Sequence, residues 1–244
     1  MFFFFINPIL IAAAIIPAVV LLLYVYRADR LEKEPGSLLL SLVIQGVIAT
    51  VLAMLTERLG MWLLPMVFPE GTLSYNAALY FVVVAVSEEG FKYFLLRKKT
   101  WNCESFNCQF DGVVYAVFVS LGFALWENIS YVMMYGLGTA MVRAVTAVPG
   151  HACFGVFMGA WYGLAKRYEY CGDTQKSKNC RILALLLPAF MHGSYDFIAA
   201  MQTQNYAWLF VAFVAVMFIV AFRLVKKLAR TDQYINRKKN KKRI

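Results

Sequence analysis

Charge is scarce in this chain. Asp, Glu, Lys and Arg make up 16% of its 244 residues, against the roughly 25% of an ordinary soluble domain, while 61% are hydrophobic and mean hydropathy is +0.62. That shortage excludes a water-solvated core as the main architecture, so lipid is the expected solvent. Long polar stretches are missing too. Marking runs of about 20 apolar residues gives crossings at 4–26, 38–55, 77–96, 111–133, 146–166, 182–201 and 207–224, which leaves no room for a separate soluble domain. The expected fold is all-α, a polytopic membrane bundle of about seven helices in one domain, 1–225, followed by a basic tail, 226–244. Residues 1–8 lack the basic stretch of a secretory signal, so the first apolar run is expected to stay as a helix. The last span carries no lysine, which argues against a retinal-type receptor, and no inverted repeat relates the two halves.

The net charge of +10 gains meaning from where the cations fall. Arg27, Arg30 and Lys33 follow the first span, Arg97, Lys98 and Lys99 the third, and Lys166, Arg167, Lys176, Lys178 and Arg181 the fifth; the tail is basic, and the other loops hold only Arg58 and Arg143. The positive-inside rule then places the N-terminus outside and the C-terminus in the cytosol of a multi-pass protein of the cell membrane. The clustered Lys and Arg from 226 onward suit anionic lipid head groups rather than nucleic acid.

Cysteine is sparse. Cys103, Cys108, Cys171 and Cys180 fall in loops that this topology puts in the reducing cytosol, where they are expected as thiols. As two spaced pairs they can be read as a structural zinc site, against the plainer reading of free thiols. Cys153, within the fifth span, reads as packing.

Against this background the ionisable residues inside the spans stand out, because each costs roughly 2.5 to 3.5 kcal/mol to insert. They are Glu88, Glu89 and Lys92 in the third span, Glu127 beside Asn128 in the fourth, His151 in the fifth, and His192 with Asp196 in the sixth. The only two histidines of the chain are among them. A rise of about 1.5 Å per residue puts Glu88 and His192 roughly 13 to 15 Å from the cytosolic ends, and Glu127, His151 and Asp196 at roughly 21 to 24 Å. One slab, and one cavity, can hold all five. Spacing of four residues lets Glu88 pair with Lys92, and His192 with Asp196. A carboxylate one turn from an imidazole fixes its tautomer and suits a charged or metal-bound ring; the alternative is a structural polar contact between helices. Pro188 should free a carbonyl and kink the sixth span one turn before His192. Pro149 and Gly150 suit the first turn of a helix, which would set His151 near its positive end. Gly155, Gly159 and Gly163 recur every four residues, a stripe for close helix packing.

Taken in order, these groups resemble the PrsW family of intramembrane proteases, within the superfamily of CAAX prenyl endopeptidases and abortive-infection proteases. Glu88, Glu89 and Lys92 stand as E-E-x-x-K, Phe123 and Glu127 as F-x-x-x-E, and His192 and Asp196 as H-x-x-x-D. The stretch 29–35, which reads D-R-L-E-K-E-P, and Pro149-Gly150-His151 resemble two further elements of that family. Lys92 and Glu127 separate the chain from the CAAX branch, which more often carries arginine and histidine in E-E-x-x-x-R and F-x-x-x-H. The resemblance implies proteolysis in or near the membrane, with a membrane-protein substrate; in the family's named member this is an anti-sigma factor whose cleavage releases a stress sigma factor.

Peptide hydrolysis in a bilayer needs an activated water, a stabilised oxyanion and a proton for the leaving amine. Glu88 is the expected general base, with Glu89 and Lys92 holding its position and charge. His192, oriented by Asp196, and His151 would stabilise the oxyanion, and Glu127 would hold the water or pass the proton. Ser87 and Ser194 lack an evident base at helical spacing, so a nucleophilic serine is not expected. No cofactor is required by this scheme, but zinc could be held by Glu127, His151, His192 and Glu88. A proton-coupled transporter is the rival from another class, since midplane acids and a broken helix also mark ion pathways.

Overall fold

Helix is the only regular structure that can cross a bilayer in a chain patterned this way, because every backbone polar group then finds its partner within its own segment. The computed structural model describes residues 8–201 and 203–235, and helices account for nearly all of them. In chain order they are α1 (Pro8–Ala28), α2 (Gly36–Leu63), α3 (Leu73–Ala78), α4 (Ala85–Thr100), α5 (Asp111–Tyr135), α6 (Leu137–Val145), α7 (Ala147–Tyr170), α8 (Thr174–Ala200) and α9 (Gln204–Arg230). A π-helical turn, Leu79–Val84, joins α3 to α4 without a break. The beginning of the expected first span, 4–7, and the end of the basic tail, 236–244, lie outside the described residues.

Among the described residues six helical segments are long and apolar enough to cross a membrane: Pro8–Ala28, Gly36–Met66, Asp111–Tyr135, Leu137–Tyr170, Thr174–Ala200 and Gln204–Arg230. The expected third span, 77–96, is the exception. It forms as the continuous run from α3 through α4, but Glu88, Glu89, Lys92 and the basic residues at its end dilute its apolar character. Those charges face protein: Glu88, Glu89 and Lys92 are all buried.

Helix α5 is the hub. In its most apolar stretch 78% of residues are buried inside the protein, against 17% for α1 and 22% for α9, so α1 and α9 lie at the rim. Large apolar side chains on the rim, such as Ile16 and Val20 of α1 and Val216 and Ile219 of α9, face outward as a lipid-contacting surface requires. The glycine stripe does what its spacing promised, drawing α7 against α5. A Cβ on Gly159 would lie 2.4 Å from the Gly112 carbonyl oxygen, and one on Gly163 only 2.0 Å from that of Gln109. Only hydrogen fits there.

The loops after α1, α4, α7 and α9 gather at one end of the bundle, which the distribution of Lys and Arg makes its basic end. Trp101, 7% exposed, is ringed by Arg97, Lys166 and Arg181 at 6.0, 5.0 and 5.4 Å from its ring centre. After α9 the chain folds back, and Ile235 N–H donates to the Asn107 carbonyl at 2.7 Å. The boundary expected at 225 therefore lies inside α9, whose helix continues to Arg230 before this return.

The four loop cysteines do not converge. Cys103 is half-buried, Cys108 and Cys180 are buried and Cys171 is exposed, and among the described residues no metal-ligating group of three or more includes a cysteine. Burial and the surrounding acids push the Cys108 thiol up. The zinc-site reading of these four draws no support from this placement.

Candidate active site

The third helical run carries the site's central charges. Its α4 places Glu88, Glu89 and Lys92 on one face, and the π turn that precedes them adds a residue to the helical circuit just before the acidic pair. Lys92 Nζ donates to Glu89 Oε1 at 2.8 Å and to Glu88 Oε2 at 3.0 Å, and lies 3.2 Å from His151 Nδ1 and 3.7 Å from the centre of the Phe123 ring. No part of Lys92 reaches solvent. Two buried carboxylates without this ammonium would carry an uncompensated desolvation cost.

The histidines arrive from two other helices. The backbone at Thr146 interrupts helical geometry between α6 and α7, with φ −121° and ψ −72°, so α7 restarts at Ala147. Pro149 falls in its first turn, where a missing N–H costs nothing, and Gly150 N–H bonds back to the Thr146 carbonyl at 2.8 Å. His151 thus sits near the N-terminus of α7. On α8, Pro188 leaves the carbonyl one turn earlier without its helical donor, and His192 follows one turn later. The two rings meet edge to face at 5.3 Å, and Phe154 stacks on His192 at 4.8 Å.

Each imidazole is held from outside by a carboxylate and turns its Nδ1 inward. His151 Nε2 pairs with Glu127 Oε2 at 2.8 Å, and His192 Nε2 with Asp196 Oδ2 at 3.2 Å. His192 Nδ1 lies 3.0 Å from Glu89 Oε1. An outer carboxylate that fixes the tautomer of an inward-facing ring is the arrangement found around metal-ligating histidines. Glu88, Glu89, His151 and His192 each offer an atom, all within 4.8 Å of one another, and all four are buried. One Glu89 oxygen, Oε2, is buried with no partner among the described residues. The donor set, two imidazoles and carboxylates, is that of a catalytic zinc site, so the residues fit a metal. Glu127 stands one step farther out than the zinc reading placed it, as the partner of His151, and Glu89 takes its place in the cluster. The Lys92 ammonium contacts three of these four residues, Glu88, Glu89 and His151.

A cavity of about 610 Å³ opens on the cluster. Glu88, Glu127, His151, His192 and Asp196 all line it, so the five groups assigned to one slab do share one chamber. Glu89 and Lys92 do not line it; they sit behind Glu88, fully buried. The chamber also holds residues that sequence reading had put in loops. Glu57 lines it because α2 continues to Leu63, beyond the apolar run, and its Oε1 is buried without a partner among the described residues. Arg143, on α6, reaches Glu127 Oε2 at 2.9 Å and Asn128 Oδ1 at 3.0 Å. The amphipathic pattern of 137–145 was the available signal, since an arginine on such a helix turns to whatever acid its polar face meets.

Comparison with known proteins gives the family. The family described as PrsW family intramembrane metalloprotease matches residues 34–223. Protease PrsW of Geobacillus kaustophilus is 33% identical over 218 residues, covering 89% of this chain and 91% of that protein. Protease PrsW of Halalkalibacterium halodurans is 33% identical over 92% of this chain and 99% of its own length, and that of Bacillus subtilis 32% over 89% and 94%. No solved structure matches the chain. With a family match across most of its length and relatives a third identical almost end to end, the chain belongs to the PrsW family and is a membrane-embedded protease.

Proposed function

We propose that the chain hydrolyses a peptide bond of a single-span membrane protein in the chamber lined by Glu88, Glu127, His151, His192 and Asp196. The observation that carries this reading is the position of Glu88. It is the one carboxylate that touches the Lys92 ammonium and also opens onto the chamber. A base must reach both the water it activates and the groups that set its charge.

Glu88 takes a proton from a water in the chamber as the oxygen attacks the scissile carbonyl carbon. The oxyanion is met by the Arg143 guanidinium on the chamber wall, beside the imidazoles of His151 and His192. Glu88 then returns its proton to the nitrogen as the carbon–nitrogen bond breaks, with Glu127 the neighbouring acceptor. Lys92 and Glu89 act from behind as positioning residues. Asp196 and Glu127 hold the two imidazoles in register.

Should a divalent metal be bound, Glu89, His151 and His192, with Glu88 beside them, would hold it, and it would polarise the carbonyl and acidify water. The orientation follows from the loop charges: the basic end faces the cytosol. The resemblance to the PrsW family implies an anti-sigma factor as substrate and a place in stress signalling.

The test is co-expression with a tagged single-span anti-sigma factor, comparing the native chain with Glu88→Ala, Glu89→Ala and His192→Ala at equal accumulation. Loss of cleavage in all three is expected. Cleavage by all three would place the chemistry elsewhere. Metal content of the purified protein, followed by activity after chelation, separates water held by carboxylates alone from water that needs a metal.

A further inference from the structure

A second buried acidic cluster lies at the basic end, away from the chamber. Asp29, just after α1, Glu34, just before α2, and Asp111, the first residue of α5, are 2%, 5% and 1% exposed. One carboxylate oxygen from each lies within 4.8 Å of the others. Asp111 Oδ2 accepts the N–H groups of Asn107 and Cys108 at 3.0 and 2.7 Å, and Glu34 Oε2 accepts the Tyr115 hydroxyl at 2.7 Å. These bonds aim the two side chains inward but bring no positive charge.

Asp29 has still less. Neither of its carboxylate oxygens has a partner among the described residues, although both are buried. Lys33, on the same loop, spends its ammonium on the backbone carbonyls of Tyr26 and Asp29 instead. Two more acids stand close by: Glu32, which accepts from the Asn107 side chain, and Asp232, which accepts the Phe110 N–H. Negative charge is therefore gathered and oriented with no ion pair among the described residues, the Lys33 ammonium acting on Asp29 only from beyond contact. Burial pushes the Asp29 carboxyl up to about 6 and that of Glu34 to about 7.

We propose that Asp29, Glu34 and Asp111 bind a divalent cation of the calcium class, which clamps the loop between α1 and α2 to the start of α5. All the donors are hard oxygens, which select Ca²⁺, Mg²⁺ or Mn²⁺ over softer metals. Calcium accepts oxygens at about 2.3 to 2.6 Å, so ligands on opposite sides of it are about 5 Å apart, and three oxygens within 4.8 Å can share it without backbone movement. Magnesium, at about 2.0 to 2.1 Å, would need a tighter cage and keeps its waters. The site uses none of the chamber's residues, and so stands whether or not the proposed chemistry is right.

The experiment uses the purified full chain in lipid nanodiscs at pH 8, stripped with chelator and titrated with Ca²⁺ or, separately, Mg²⁺ while thermal unfolding is followed. The native chain and a His192→Ala variant should both be stabilised by Ca²⁺ at lower concentration than by Mg²⁺, while Asp29→Asn should need at least tenfold more Ca²⁺. Counting bound Mn²⁺ by electron paramagnetic resonance, with displacement by Ca²⁺, covers the case in which Asp29→Asn does not fold: one Ca²⁺-displaceable site should remain in His192→Ala. No response of the native chain, an unchanged response in Asp29→Asn, or loss of the site in His192→Ala would each overturn the proposal. The first of these would mean that protons alone neutralise the cluster.

Discussion

The two buried acidic clusters of this protein solve the same problem in opposite ways. Within the bundle, Glu88 and Glu89 are met by Lys92, and Glu127 by Arg143, so each carboxylate has a cation from the chain itself. At the basic end, Glu34 and Asp111 are held by hydrogen bonds alone and the Asp29 carboxylate by none among the described residues, although lysines and arginines abound in the neighbouring loops. The first cluster opens on a chamber of about 610 Å³, while the second is sealed by side chains. Buried charge that is internally compensated and open to water is equipped for chemistry. Buried charge that is uncompensated and closed is equipped to bind an ion.

Breaking the compensation inside the bundle should have the largest effect. His192→Ala removes the partner of both Glu89 and Asp196 from the chamber wall, and should lower cleavage by about 10² to 10⁴-fold, read as initial rates on a reconstituted substrate. Lys92→Met leaves two buried carboxylates facing each other and should cost about 3 to 5 kcal/mol of stability. Thermal unfolding in nanodiscs would show it, and a native midpoint would mean that Lys92 is not the counter-ion. At the other cluster, saturating Ca²⁺ at about 100 times its dissociation constant should stabilise the native chain by about 2.7 kcal/mol, an increment that Asp29→Asn should largely lose. The smallest effect is expected at Arg143→Gln. Its pair with Glu127 is only partly buried, so a drop of about tenfold in cleavage, or about 1.4 kcal/mol, is the expected outcome.

Much of the membrane cluster was legible in the sequence because its local part obeys helical spacing. The Glu88–Lys92 and His192–Asp196 pairs lie four residues apart and form at 3.0 and 3.2 Å. The glycine stripe and the restart of a helix before Pro149 were readable for the same reason. What spacing cannot show is which helices meet. Glu89 finds His192 across 103 positions, Lys92 finds His151 across 59, and Glu127 finds His151 across 24. Those pairings belong to the packing of α4, α5, α7 and α8. Glu57 was missed because hydropathy ends a span where the apolar run ends, whereas helix hydrogen bonding carries α2 on to Leu63. The π turn before Glu88 has no local signature, and the acids at the basic end are drawn from two distant stretches that only the fold brings together.

Among the carboxylates of one chamber, Glu88 is proposed as the base. Glu57 shares the chamber but hydrogen-bonds neither Lys92 nor a histidine among the described residues. The decisive measurement is the initial rate of substrate cleavage by purified Glu88→Gln and Glu57→Gln proteins, each with its unfolding midpoint recorded in the same nanodiscs. Glu88→Gln should fall at least about a thousandfold while remaining folded, and Glu57→Gln by less than about tenfold. A folded Glu88→Gln protein that cleaves at the native rate, or a Glu57→Gln protein that is the inactive one, would contradict the account.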